Sequence, residues 1–230
     1  MLLLAVDTSG RQGSIALARA KQSRAESREG VAVEVIEVAP LSGGAFSAQL
    51  IPQVAVLLTK RGFTKSDIDG FVVASGPGSF TGLRVGLAAV KALAEVLAKP
   101  IASVSLLEAL ALAAGLQGRV IAALDAGRGE VYAGEYSVSG DAAALVKEQL
   151  LTKAEAFANT GKSVFATSDK TLYEAAAAAG ISVSRVDVLN AGSIATLGWH
   201  KIRTGVGVSP ENLEANYIRR TDAEILLKIS

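Results

Sequence analysis

One pattern occurs twice in this chain. An apolar run ends in an aspartate and a turn at 2–10, L-L-L-A-V-D-T-S-G, and again at 121–129, I-A-A-L-D-A-G-R-G. Each run is too short for a helix and reads as a buried strand, while Asp, Ser and Gly mark the turn. The elements that follow repeat too. After the first turn come a returning strand over 13–20, a polar connection over 21–30, a β-branched strand over 31–38, a helix over 47–61 and a strand over 68–74. After the second come strands over 130–138 and 144–150, a helix opened by a Thr152–Glu155 capping box, a strand over 164–167 and a helix over 170–179 closed by Gly180. A strand over 101–104 with a helix opened by Ser105 and Glu108, and a strand over 183–188 with a helix over 191–204 capped by Asn190, complete the two series.

Two copies of strand, strand, strand, helix, strand, helix predict the α/β class. The order is that of duplicated ribonuclease H-like domains, the architecture of actin, sugar kinases and Hsp70. The expected domains are 1–104 and 105–205, with the tail 206–230 packing back on the first. In such folds a nucleotide usually occupies the cleft between halves, faced by the aspartate turns. By that fold analogy Asp7, Thr8, Ser9 and Asp125 are candidate nucleotide- or anion-facing residues. The carboxylates of Asp7 and Asp125 offer oxygen ligands suited to Mg²⁺. The plainer alternative is that each aspartate favours its turn by bonding its own backbone two residues on.

A second candidate anion site is the stretch Gly76-Pro77-Gly78-Ser79 between a strand and a helix over 81–99 that Pro100 stops. A helix N-terminus behind a glycine-rich loop directs free N–H groups and a positive dipole end at one spot. The loop is neither a P-loop, because Leu83 follows Gly82, nor a dinucleotide fingerprint, because Thr81 stands where the third glycine belongs. Its glycines are equally explained by a positive φ at Gly76 or Gly78 and by close helix–strand packing.

Several chemistries are excluded. Without cysteine there is no disulfide or thiolate metal site, and one histidine, His200, is too few for a histidine-based zinc or iron centre. No G-x-S-x-G motif supports a serine hydrolase. A net charge of +1 gives little counterion release, so weak tRNA binding by the chain alone is expected. The N-terminal apolar run ends at Asp7 and lacks a basic leader, and no apolar run reaches a membrane span, so a cytoplasmic protein is expected.

The helices over 47–61 and 81–99 carry more apolar residues than one buried stripe uses. Leu50, Ile51, Val54, Leu87, Val90 and Leu97, with Arg84 and the close-approach glycines Gly82 and Gly86, are the expected partner surface. An interface there is expected to bury about 1,600 Å² in total.

D-T-S at 7–9, G-P-G-S-F-T-G-L-R-V-G at 76–86, S-V-S-L-L at 103–107, D-A-G-R-G-E-V-Y at 125–132 and N-Y-I-R at 216–219 resemble the bacterial TsaB (YeaZ) proteins. The resemblance implies a role in forming threonylcarbamoyladenosine next to the anticodon of tRNAs that read ANN codons. It implies a non-catalytic scaffold that binds the transferase TsaD, with the ATPase TsaE joining. It further implies homodimers when that partner is absent, contact with tRNA only through the complex, and ATP or ADP with Mg²⁺ only at the level of the complex. The family often has His-Ser before the first helix, where this chain has Phe46-Ser47. A stand-alone nucleotide-binding ATPase, or a peptidase, of the actin-like fold is the competing class.

Overall fold

The computed structural model describes residues 1–20 and 33–219. The charged connection over 21–30 and the last residues of the tail lie outside the described residues.

β1 (Leu2–Asp7) is buried at every position, which is why its sequence does not alternate. It pairs antiparallel with β2 (Gly13–Ala20), which pairs antiparallel with β3 (Val33–Leu41). On its other side β1 is parallel to β4 (Gly70–Gly76), and β4 is parallel to β5 (Ile101–Ser105). The sheet order is therefore β3-β2-β1-β4-β5. Helix α1 (Phe46–Lys60) buries Phe46, Leu50, Val54, Leu57 and Leu58, and α2 (Phe80–Leu97) buries Gly82, Leu83, Gly86, Leu87, Val90 and Ala94. These side chains form one core with Leu4, Val6, Ile15, Leu17, Phe71 and Val73. Ala98, in the left-handed region at φ +49°, ends α2.

The second sheet repeats the first. β6 (Gly118–Gly127) is antiparallel to β7 (Glu130–Ser139), which is antiparallel to β8 (Ala142–Thr152). β6 is parallel to β9 (Val164–Thr167), and β9 to β10 (Val183–Arg185), giving the order β10-β9-β6-β7-β8. Counted from its central strand this is the same arrangement, so the duplicated ribonuclease H-like reading stands. α4 (Lys153–Ala158) opens with the Thr152–Glu155 capping box, and α5 (Lys170–Ala178) is capped by Asp169. Their apolar faces, Ala156, Leu172 and Ala176, pack on Ile121, Ala123, Val131, Ala133 and Phe165.

The chain divides into two units, 1–106 with 189–215 and 107–188 with 216–230. The first boundary falls two residues beyond the expected one, inside the start of α3 (Leu106–Ala113). The helix over 191–204 differs more: α6 (Ala191–Arg203) belongs to the first unit. It lies against β1, β2, β4 and β5, with Gly198 so close to Val72 that a Cβ would stand 2.3 Å from it. Its first amide, Ala191 N–H, donates to Ser14 Oγ at 2.9 Å. A helix assigned by chain order cannot reveal which sheet offers it a complementary surface. The tail also divides: Leu213 joins the first core, whereas Asn216 and Arg219 join the second unit.

Candidate functional site

The first aspartate turn and the glycine-rich loop are parts of one packed structure. Asp7 ends β1 and is 7 % exposed, with Thr8 and Ser9 equally buried. Asp7 Oδ1 accepts from Ser9 N–H at 2.9 Å and from Ser9 Oγ at 2.6 Å. The chain then meets the start of α2. Thr8 Oγ1 donates to the Gly82 carbonyl at 2.7 Å, and the Ser79 N–H donates to the Ser9 carbonyl at 2.6 Å. Ser79 caps α2 by accepting from Gly82 N–H at 3.3 Å, and its carbonyl accepts from Leu83 N–H at 2.9 Å.

Three glycines exist to permit this contact. A Cβ on Gly78 would stand 2.5 Å from the Ser9 carbonyl oxygen, one on Gly82 2.1 Å from that of Thr8, and one on Gly86 2.4 Å from Thr8 Oγ1. Gly76 takes φ +117°, which only glycine adopts readily. Of the two explanations that the loop's glycines allow, the structure bears out the positive φ at Gly76 and the close packing at Gly78, Gly82 and Gly86. The amides of Ser79, Gly82 and Leu83 already have acceptors within the chain. Gly82 and Gly86, expected to admit a partner helix, instead admit Thr8.

Burial pushes the Asp7 carboxyl above its ordinary value, against the lowering effect of the two Ser9 bonds. A carboxyl raised on folding contributes stability that is full below its unfolded pKa and lost as pH rises through its folded pKa. Asp7→Asn keeps an oxygen for Ser9 and removes the buried charge. Its thermal midpoint is expected to exceed the parent's at neutral pH, with the gap closing as pH falls into the ordinary carboxylate range. A gap constant across that range, followed by calorimetry, would contradict this.

Asp125 stands in the second unit at the corresponding place, exposed, with Oδ2 accepting from Gly127 N–H at 3.2 Å. That is the self-bonded turn aspartate that the residue type favours. Among the described residues no group of three or more His, Cys, Asp or Glu side chains is placed to hold a metal ion. None of the described helices is long and apolar enough to cross a membrane.

The expected partner surface separates into two faces. Leu87 and Val90 are buried in the first core, Val90 at 0 % exposure, and Val54 is buried with them. Leu97 packs against the same core. Those residues are corrected from partner contacts to the chain's own interior, because one face of each helix covers the sheet and the flanks meet each other. What remains is an open groove between α1 and α2 of about 500 Å³, lined by Ser47, Ile51, Phe80, Arg84, Val85 and Ala88, with Leu50 and Ala89. Ile51 is 48 % exposed there, and the Arg84 guanidinium lies 3.8 Å from the Phe80 ring centroid. Phe46, at the family's departure, is not part of the groove. It is buried against Gly13, where a Cβ would lie 2.9 Å from its ring.

The terminal N-Y-I-R signature has a structural use that its spacing did not reveal. Asn216 Nδ2 donates to Glu148 Oε2 at 2.5 Å, and the Tyr136 hydroxyl donates to the other oxygen of the same carboxylate. Arg219 donates to Glu130 at 2.6 Å beside the Tyr132 ring. Glu130, Tyr132 and Tyr136 alternate along β7 and so share one face.

Two sheets of like topology, each bearing an aspartate turn at the end of its central strand, define a duplicated ribonuclease H-like protein. The family model described as "TsaD: tRNA N6-adenosine threonylcarbamoyltransferase" matches residues 38–203. The chain belongs to this family, and within it to the TsaB (YeaZ) proteins. It is 37 % identical over 137 residues to the tRNA threonylcarbamoyladenosine biosynthesis protein TsaB of Bacillus subtilis, covering 59 % of this chain and 55 % of that protein. It is 34 % identical over 139 residues to the TsaB of Escherichia coli, with the same coverage of both chains. The chain thus spans about half the length of the curated relatives it matches. Among solved structures, YeaZ from Pseudomonas aeruginosa superposes with a TM-score of 0.70 at 26 % identity, over 94 % of this chain and 99 % of that one.

Proposed function

We propose that this chain serves the formation of threonylcarbamoyladenosine in tRNA as a non-catalytic scaffold that binds the transferase TsaD, with TsaE joining the pair. The observation that carries the reading is the groove between α1 and α2. It is an apolar hollow on a rigid helix pair, with an exposed isoleucine and a stacked arginine at its rim. Aromatic and arginine anchors around an apolar centre suit a protein partner. The same groove serves a second copy when the transferase is absent, so the two associations compete. Nucleotide with Mg²⁺ and tRNA belong to the assembled complex, in the cytoplasm.

The test is co-purification with the TsaD of the same host, joined to measurement of threonylcarbamoyladenosine in tRNA from cells depleted of this chain. The expected result is a stable complex, and a modified base that falls on depletion and returns with the wild-type chain. Purified chain that hydrolyses ATP or peptides alone, or cells whose tRNA stays fully modified without it, would overturn the reading in favour of a stand-alone enzyme.

A further inference from the structure

We propose that the tail segment 216–219 is a strap that releases from the second unit without unfolding it. The stretch over 214–219 lies outside every strand and helix, and among the described residues no bridge pairs it with β7 or β8. Side chains fasten it instead. Asn216 Nδ2 donates to Glu148 Oε2 on β8, and Arg219 Nη2 donates to Glu130 Oε2 on β7, with its guanidinium 5.9 Å from the centroid of the Tyr132 ring. None of residues 216–219 joins the core beneath α4 and α5. The near end of the strap is anchored, because Leu213, three residues before Asn216, is buried in the first core.

What the strap leaves behind stays satisfied. The other oxygen of the Glu148 carboxylate accepts from the Tyr136 hydroxyl, a bond within the sheet that the tail does not share. The side chains of Glu130 and Arg219 are 36 % and 31 % exposed, so water replaces their bond when it breaks. No charge is left buried and unpaired, which lowers the cost of lifting the strap. A segment with no ladder hydrogen bonds and partly exposed ties belongs to the low-stability end of a fold, where parts open on their own. Salt screens the Arg219–Glu130 pair at this exposure, so ionic strength sets how often the strap opens. Opening frees the Glu130 and Glu148 carboxylates and lifts a guanidinium from the Tyr132 ring.

The strap is independent of the scaffold reading and is tested on the full chain alone. The sequence has no cysteine, so Ile218→Cys, at a half-buried position in the strap, gives one thiol to follow. Its labelling by a thiol reagent is expected to run about ten- to a thousandfold slower than for a free thiol, and to respond little to urea below the unfolding transition. Raising the salt concentration is expected to speed it, and adding Arg219→Ala to speed it several-fold and to abolish the salt dependence. In the chain without the new thiol, Asn216→Ala combined with Arg219→Ala is expected to lower the folded-to-unfolded ratio in urea by no more than about tenfold. Labelling at the free-thiol rate would mean that the segment is not fastened, and labelling only through global unfolding that it does not release; either overturns the proposal. So does labelling indifferent to salt, or a larger fall in the folded-to-unfolded ratio of the double variant, which would make the tail part of the fold of the second unit.

Discussion

Gly82→Ala is expected to destabilise the chain by at least about 3 kcal/mol, a large share of the 5–15 kcal/mol that holds an ordinary domain. The sign is the informative part. Glycine inside a helix is normally a weakness, and alanine there gains about 1 kcal/mol. Here the added methyl would stand 2.1 Å from the Thr8 carbonyl oxygen, which is backbone and cannot rotate away. Either α2 lifts from the sheet, breaking the Thr8–Gly82 and Ser79–Ser9 hydrogen bonds, or β1 bends within its core. Gly86→Ala meets a side-chain oxygen, Thr8 Oγ1, at 2.4 Å, which has a rotamer to move into at the cost of its bond to Gly82. Its effect should be smaller, about 1–3 kcal/mol. Urea unfolding of the three chains measures both. Equal stability of Gly82→Ala and the parent would refute the packing account of the loop and return its glycines to anion binding.

The parts of this molecule that follow from local pattern were legible in the sequence. Leu2 to Val6 and Phe71 to Ala74 are apolar runs of strand length, and Thr152 with Glu155 writes a capping box, as the structure bears out. The repeated aspartate turn carries the duplication, and both sheets have the same order. What escaped depends on contacts between residues far apart in the chain. Thr8 and Gly82 are 74 positions apart, so nothing near either reveals that one fills the space the other leaves. The choice of the first sheet by α6 rests on Gly198 meeting Val72, and the meaning of the terminal signature rests on Asn216 finding Glu148. The apolar surplus on α1 and α2, read as a partner surface, goes in large part to the chain's own sheet and to the neighbouring helix, because a helix that contacts both buries two flanks before any partner arrives.

That division sets the second large expectation, which turns on two positions of α2. Ala88 and Val90 are two residues apart, and so lie about 200° apart around the helix. Ala88 is exposed in the groove, while Val90 is wholly buried beneath it. Ala88→Arg is expected to leave circular dichroism and thermal midpoint unchanged while weakening binding to TsaD at least a hundredfold, about 3 kcal/mol. The new side chain fills the hollow and sets a second guanidinium beside Arg84, which a docked helix would have to desolvate. Val90→Arg is expected to fail earlier. It puts an unpaired charge into the core shared with Phe71 and Leu4, costing several kcal/mol, and should yield unfolded chain whether or not a partner is present. Ala88→Arg chain that stays folded and still binds TsaD as the parent does would place the partner surface away from the α1–α2 groove. Val90→Arg chain that folds normally and loses only its partner would show that the buried face of α2 opens on association.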